Sequence, residues 1–422
     1  MNYLGSIEES AISVNANKVI SRLQENGFQA YLVGGCIRDL LLRKTPKDFD
    51  IATDAKPEEV RELFRNSLII GKRFRIVHVR FGREIIEVTT FRGPHADDYD
   101  ENHSDSGMTL NDNVYGTFEE DVFRRDFTMN AIYYEPRERD IIDLADGTAD
   151  IESQIIRTIG DPTGRLREDP VRMLRAIRFQ AKLEFSLEPG LESSIRSLGH
   201  LLQDVPPARL FEEVLKLFLS GYGTAAFDSM MENDIYGWLF PDSKRSMKNN
   251  ATEELVRLAL TSTDQRIAKQ KPVTPAFIYA AVLWYPFIEE KGRLEQEGEM
   301  TYAAAHEAAN NVISKQQLFT SIPKRFSGPM RDIWFLQSRL PSRFGQKPDR
   351  TMEHKRFRAA YDFLLLREQA GEKTEQLGEW WTEYQEATDE RKLAMKQSNS
   401  NGRQRKRKAR PKASTNDKAS SN

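Results

Sequence analysis

Short β-branched and aromatic runs stop at residue 159, and that switch bounds what the chain can fold into. Before it, 30–33, 49–53, 74–81 and 85–91 read as strands, alternating with helical stretches at 37–43 and 57–65. A helix over 15–27 precedes them, with Val19, Ile20 and Leu23 at helical spacing and Gly27 at its end. Gly82 joins the last two runs tightly, so the expected sheet is small, mixed and flanked by helices. After a last strand at 155–159 every periodic segment is helical. The stretch 168–183 puts Val171, Leu174, Ile177 and Ala181 on one face, and 209–219 and 275–283 repeat the pattern. The fold class is α+β: a mixed-sheet head, then helices with no internal repeat.

The 422 residues have room for two to three domains at roughly 150 residues each. From Pro94 to Phe123 there is no Lys or Arg, while Asp97, Asp98, Asp100, Glu101, Asp105 and Asp112 accumulate. Such a stretch buries little surface and reads as a long mobile loop within the head. The single cysteine, Cys36, excludes a disulfide framework and a thiolate zinc cluster; it reads as a small filler behind a glycine turn. No run of about 18 apolar residues occurs, and the start lacks a signal-peptide layout, so a cytoplasmic location without a membrane span is expected. Between Lys396 and Asn422 nine Lys or Arg face one acid, Asp417, although the whole chain carries a net charge of −2. This basic, aromatic-free tail on an acidic body is expected to be a disordered arm with affinity for polyanions.

Chemistry concentrates in the head. In Asp48-Phe49-Asp50 the carboxylates at i and i+2 of a strand share a face, while Phe49 and Ile51 turn to the core. Two hard carboxylates on one rigid edge suit divalent Mg, which keeps positions open for substrate phosphates. Alone, the pattern more often marks a solvated edge. Upstream, however, a strand ends in Gly34-Gly35 and opens a helix, where glycines admit a phosphate to free N–H groups and Arg38 adds a charged fork. Phosphate donors beside metal ligands form a specific arrangement.

Leu32-Val33-Gly34-Gly35, Arg38-Asp39 and Lys47-Asp48-Phe49-Asp50 resemble the signature of the class II tRNA nucleotidyltransferase and bacterial poly(A) polymerase family, which has a polymerase-β-like head. Arg124-Arg125-Asp126-Phe127-Thr128-Met129-Asn130-Ala131 resembles its ribose and triphosphate motif, and Glu168-Asp169-Pro170-Val171-Arg172-Met173-Leu174-Arg175 its base-recognition motif. The spacing of Asp169, Arg172, Arg175 and Arg178 lines one helix face, which by itself serves equally as a salt-bridged surface. The resemblance implies that Asp169 and Arg172 face the incoming base and that Arg175, Arg178, Arg125 and Asn130 contact nucleotide. It makes Gly34, Gly35 and Arg38 the pyrophosphate side, and Asp126 a carboxylate essential beside Asp48 and Asp50. Strand geometry alone would choose Glu87 as the third acid; the resemblance ranks Asp126 above it.

The implied organisation is a flexible N-terminus (1–14), a catalytic head (15–160), a helical neck with the base-recognition helix (161–220), an RNA-binding helical body (221–394) and the basic tail (395–422), with order ending near Ala394. His95 and His103 read as solvated loop residues, and Trp284 to Phe287 and Trp380-Trp381 as helix packing. The absence of a His-Asp pair implies that the phosphohydrolase domain of some relatives is missing. Lys44-Thr45-Pro46-Lys47, the stretch 71–79, Ile322-Pro323-Lys324-Arg325, Arg331-Asp332-Ile333-Trp334 and the stretch 357–362 resemble the bacterial poly(A) polymerase branch. The implied reaction is template-independent, two-metal transfer of AMP from ATP to RNA 3′ ends (mRNA and other RNAs), releasing pyrophosphate, in polyadenylation and decay, with RNA-decay proteins as partners. The alternative within the family is CCA addition to tRNA. Oligomeric state, RNA selectivity and processivity are not implied.

Overall fold

A computed structural model describes residues 7–71, 75–93 and 114–397. Most of the acidic stretch, with His95 and His103, lies outside the described residues, as do positions 72–74 and the basic tail from 398 onward.

Seven strands form one mixed sheet: β1 (Ala30–Val33), β2 (Phe49–Thr53), β3 (Ser67–Ile70), β4 (Ile76–Phe81), β5 (Glu84–Thr90), β6 (Ile132–Glu135) and β7 (Asp140–Asp143), ordered β3-β4-β5-β2-β1-β6-β7. Only β2 and β5 pair in parallel; the other neighbours are antiparallel. The register places Val33 opposite Asp50, Asp50 opposite Glu87 and Glu87 opposite His78. Those polar residues therefore share one face near the sheet centre.

The helices of the head are α1 (Val14–Glu25), α2 (Gly35–Leu41), α3 (Pro57–Leu63), α4 (Phe118–Phe123) and α5 (Gly147–Glu152). Ser13 caps α1 by accepting from the Asn15 and Ala16 N–H groups, and Gly27 takes a positive φ of 87° just past its end. Order thus begins before residue 15, since Glu9–Ala11 also form a 3-10 turn and Ile12 is buried.

Three further differences have physical causes. The loop expected to reach 123 gives way to α4, started by a capping box in which Thr117 and Glu120 satisfy each other's backbone N–H groups. Phe118 anchors that helix 4.7 Å from the Tyr133 ring. Strands β3, β6 and β7 go beyond the expected set. The strand at 155–159 is reduced to β8 (Ile155–Ile156), and it is not the last: it pairs in parallel with β9 (Ser186–Leu187) in a separate two-stranded sheet.

Helices α6 (Pro162–Glu168), α7 (Val171–Leu183), α8 (Pro189–Leu198), α9 (Pro207–Phe218), α10 (Gly223–Glu232) and α11 (Tyr236–Leu239) follow. Then come α12 (Pro241–Ser246), α13 (Asn250–Ala268), α14 (Pro275–Val282), α15 (Trp284–Gln296), α16 (Thr301–Gln316), α17 (Lys324–Arg339), α18 (Lys347–Met352), α19 (Phe357–Gln369) and α20 (Leu377–Glu386). The chain divides into two compact units, Met1–Leu217 with Ala225–Leu239, and Phe218–Thr224 with Phe240–Asn422. The expected head and neck lie together in the first.

In the second unit, the Trp334 ring stacks on Phe287 at 4.6 Å and its indole N–H donates to the Ala280 carbonyl. Trp381 is buried and donates to the Leu340 carbonyl, within a cluster that includes Phe357, Tyr361, Tyr384 and Met395. Trp284, Phe287 and Trp381 are therefore packing residues. Order also runs past Ala394: residues 389–397 are helical, Met395 is buried, and Lys396 pairs with Asp349 at 2.8 Å.

The tightest backbone approach in the head lies under the turn that carries Asn130. A Cβ on Gly147 would stand 2.2 Å from the Thr128 carbonyl oxygen. Gly147→Ala is expected to destabilise the first unit by about 1–3 kcal/mol in urea unfolding, whereas Gly292→Ala, whose Cβ meets nothing within 4 Å, costs no stability.

Candidate active site

Gly34 ends β1 with φ 78° and ψ −129°, a conformation that penalises any side chain, and it is the N-cap of α2. The helix starts at Gly35, two residues earlier than expected, so the N–H groups of its first turn lie directly behind the strand end. Cys36 is buried behind this turn, its Sγ 3.3 Å from the Val33 carbonyl, and burial pushes its thiol up to about 12.

Asp48 lies exposed at the bend leading into β2, and Asp50 is half-buried on the strand, while Phe49 and Ile51 enter the core. Burial, then the negative charges of Glu87 and Asp48, raise the Asp50 carboxyl to about 6 against the opposing pull of Arg125. Among the described residues no three His, Cys, Asp or Glu side chains converge closely enough to hold a metal. Asp48 and Asp50 are the carboxylate pair expected to hold a divalent cation, and the Asp48 charge acts on Asp50, a repulsion that a hard cation would relieve. Glu87 lies beside Asp50 in register and contacts His78 Nε2 at 3.2 Å.

Arg125 borders the glycine turn, with Nη1 3.6 Å from where a Gly34 Cβ would stand. Its Nη2 pairs with Asp121 at 2.9 Å and its Nε donates to the Tyr133 hydroxyl at 2.7 Å, which itself donates to Asp121 at 2.5 Å. Arg165, absent from the sequence reading, holds this segment from outside by donating to the Arg124 and Arg125 carbonyls, both at 2.6 Å.

The Asp126 carboxylate is engaged within the protein. It accepts from Arg175 Nη2 at 2.5 Å, from Asn130 Nδ2 at 3.1 Å and from the Phe127 N–H at 2.8 Å. Burial works against the charge, yet Arg175 and Asn130 outweigh it and hold the group down to about 2. Asn130 Oδ1 in turn accepts from Arg38 Nη1 at 2.7 Å, and Arg38 binds Asp39 at 2.6 Å. Arg38, only 3% exposed, is thus turned into the fold and not toward solvent.

The expected polar helix face is different in kind. Asp169 is not on the helix: it sits extended between α6 and α7, with φ −145° and ψ 96°, because Pro170 disfavours helical backbone at the residue before it. Its carboxylate accepts from the Val171 N–H at 3.2 Å and from Arg209 at 2.7 Å. Arg172 is 8% exposed and pairs with Glu168 at 2.8 Å. Arg178 pairs with Glu213 at 3.2 Å. Arg38, Arg175 and Arg178 lie 5.0, 5.7 and 5.4 Å from the centre of the Phe179 ring. Phe179, Glu168, Arg209 and Glu213 were missed because their roles depend on neighbours distant in sequence.

Residues 30–157 match the family described as "Poly A polymerase head domain", 184–247 that described as "Probable RNA and SrmB- binding site of polymerase A", and 297–414 that described as "Polymerase A arginine-rich C-terminus". With a carboxylate pair beside a glycine turn in a mixed sheet, the protein is a nucleotidyltransferase. Over 389 residues it is 46% identical to poly(A) polymerase I of Haemophilus influenzae, covering 90% of this chain and 86% of that protein. It is 38% identical to a CCA-adding enzyme of Lactobacillus helveticus over 224 residues, 53% of this chain and 54% of that one. The Bacillus stearothermophilus CCA-adding enzyme in complex with CTP superimposes with TM-score 0.52 at 26% identity, covering 87% of this chain and 80% of that one. The chain belongs to the bacterial poly(A) polymerase I family.

The two aspartates should respond oppositely to amidation. In metal-free protein the native state holds a proton on Asp50 up to about pH 6, so stability falls as pH rises through the window between the ordinary aspartate range and that value. Asp50→Asn is expected to stabilise by about 1–3 kcal/mol near neutral pH, a gain that disappears toward acid in denaturant titrations. Asp126→Asn removes the counter-charge of Arg175, whose side chain is 32% exposed, and should cost about 1–3 kcal/mol.

Proposed function

We propose that the protein adds AMP residues from ATP to RNA 3′ ends without a template, releasing pyrophosphate. The observation that carries this reading is sequence likeness: it is 46% over 389 residues to a poly(A) polymerase I, against 38% over 224 residues to a CCA-adding enzyme and 26% to the CCA-adding enzyme whose structure covers 87% of this chain. The substrate places the enzyme in the cytoplasm, acting on mRNA and other RNAs marked for decay, with RNA-decay proteins as partners. Among the described residues no helix is long and apolar enough to cross a membrane.

Asp48 and Asp50 would hold Mg, whose chemistry when bound is to acidify the RNA 3′ hydroxyl and neutralise charge on the reacting phosphate. The flexible backbone at Gly34 and Gly35 lets the leaving pyrophosphate approach the N–H groups of α2, with the Arg125 guanidinium alongside. Asp126, Asn130 and Arg38 serve the nucleotide by position: their bonds fix the glycine turn against α7 and hold Arg175 in place. Asp169 and Arg172 meet the base edge, where a carboxylate accepts from the adenine amino group and a guanidinium stacks or donates. No covalent enzyme intermediate is needed, because the hydroxyl displaces pyrophosphate directly.

The test is primer extension in Mg, offering each NTP singly to a generic single-stranded RNA and to a tRNA lacking CCA. Long ladders with ATP alone on the generic RNA are expected; extension of the tRNA only, by three nucleotides and only with CTP present, would replace the reading by CCA addition. Asp48→Ala, an exposed substitution, should keep the fold yet lose several kcal/mol of charge stabilisation, about 10³-fold in rate. Retained activity would remove Asp48 from the metal site.

A further inference from the structure

The second unit contains a cavity of about 230 Å³ between the end of α13, the start of α14 and the start of α19. Its lining includes Arg266, Lys355, Arg356 and Arg358 against one carboxylate, Asp362, which is engaged with Arg358 at 3.0 Å. Arg266 donates to the Pro272 carbonyl and so shapes the loop that forms one wall.

Among the described residues, two of these cations have no partner for their charged group. Neither the Lys355 ammonium nor the Arg356 guanidinium has a hydrogen-bond or ion-pair partner among the described residues, and Arg356 Nε is buried without an acceptor. A buried donor left without an acceptor is unfavourable, so an oxyanion at this position would relieve the structure. Arg356 is also the N-cap of α19, a helix of 13 residues. The first bond to its carbonyl comes from the Ala360 N–H, which leaves the N–H groups of Arg358 and Ala359 at the positive end of the helix. The opposite wall is apolar: Phe277 lines the cavity and is held edge-on by Phe363 at 6.0 Å. A volume of this size takes one small unit with a charged end and a ring.

We propose that this pocket binds a single nucleotide of an RNA chain, its phosphate on Lys355, Arg356 and the start of α19, and its base against Phe277. It deepens the reading of RNA as substrate and rests on it. Arg266 and Phe277 lie outside the matched segments 184–247 and 297–414, so the site draws on residues that neither segment includes. A free nucleotide has the same phosphate and ring; the RNA source is favoured because exposed Lys355 and Arg358 flank the mouth, where an incoming and an outgoing phosphate of a continuous strand would pass.

The test compares the full chain with a Lys355→Ala/Arg356→Ala double variant and with Phe277→Leu. Binding of a labelled oligoadenylate is followed by fluorescence anisotropy across a salt series, and binding of AMP by calorimetry. Because Lys355 and Arg356 have no partner to lose, the double variant keeps its fold. It is expected to bind the oligonucleotide about 5–10-fold more weakly, with the dependence of log K on log salt shallower by about 0.7, as for one lost phosphate contact on a single strand. Phe277→Leu should weaken binding with the salt slope unchanged. Unaltered oligonucleotide affinity and slope in both variants overturn the proposal; loss of AMP binding in place of oligonucleotide binding also overturns it and assigns the pocket to a free nucleotide. Binding is read without catalysis. A protein that binds RNA here but incorporates no AMP contradicts the proposed reaction and leaves the pocket standing.

Discussion

A part-buried ion pair between Asp126 and Arg175, 2.5 Å apart, carries the arrangement of the first unit. Asp126 belongs to the segment that follows α4, and Arg175 to α7, 49 residues later. Removing two charges from water costs several kcal/mol each, so such a pair persists only where further bonds complete it. Here they do: Asn130 and the Phe127 N–H take up the remaining carboxylate lone pairs, Arg38 binds Asn130, Asp39 binds Arg38, and Lys182 reaches Asp39 at 3.3 Å. The line runs from one side of α7 through the 128–130 turn to α2 and returns to α7. Phe179, with three guanidiniums near its ring and Phe127 edge-on at 5.7 Å, fills the space the line encloses. The glycine turn and α7 are therefore tied together by a continuous run of bonds.

Against that rigid frame the Asp48–Asp50 pair stands out as unsatisfied. A structural carboxylate is pulled down by its partners, as Asp126 is; Asp50 is pushed up by burial and by its neighbours Glu87 and Asp48. In the proposed function the pair receives a divalent cation, and negative charge concentrated there before the cation arrives costs native stability. The contrast separates two acids that sequence position alone would group together.

Much of this was legible in the residues. Alternation in Phe49–Thr53 fixed which side chains face the core, and Gly34-Gly35 marked the strand-to-helix turn that the structure displays. The Thr117-x-x-Glu120 box and the Asp169-Pro170 step were equally legible signals, and they account for α4 and for the break between α6 and α7. What could not be read is pairing between distant segments. Arg38 followed by a strand carrying two acids looks like a free phosphate clamp until Asn130, 92 residues on, is seen to hold it. Strands β3, β6 and β7 are four residues each, no shorter than β1, which was legible; they depend on neighbouring strands to satisfy their backbone groups.

The central claim is that the nucleotide site and α7 form one mechanical unit joined at Asp126 and Arg175. A double-mutant cycle with Asp126→Asn, Arg175→Gln and the double variant, read as ATP affinity at fixed Mg, tests it most directly. The account predicts strong coupling, about 1–3 kcal/mol, with the double variant binding ATP nearly as poorly as the worse single one. Strictly additive losses would contradict it and leave the two residues acting on the nucleotide independently.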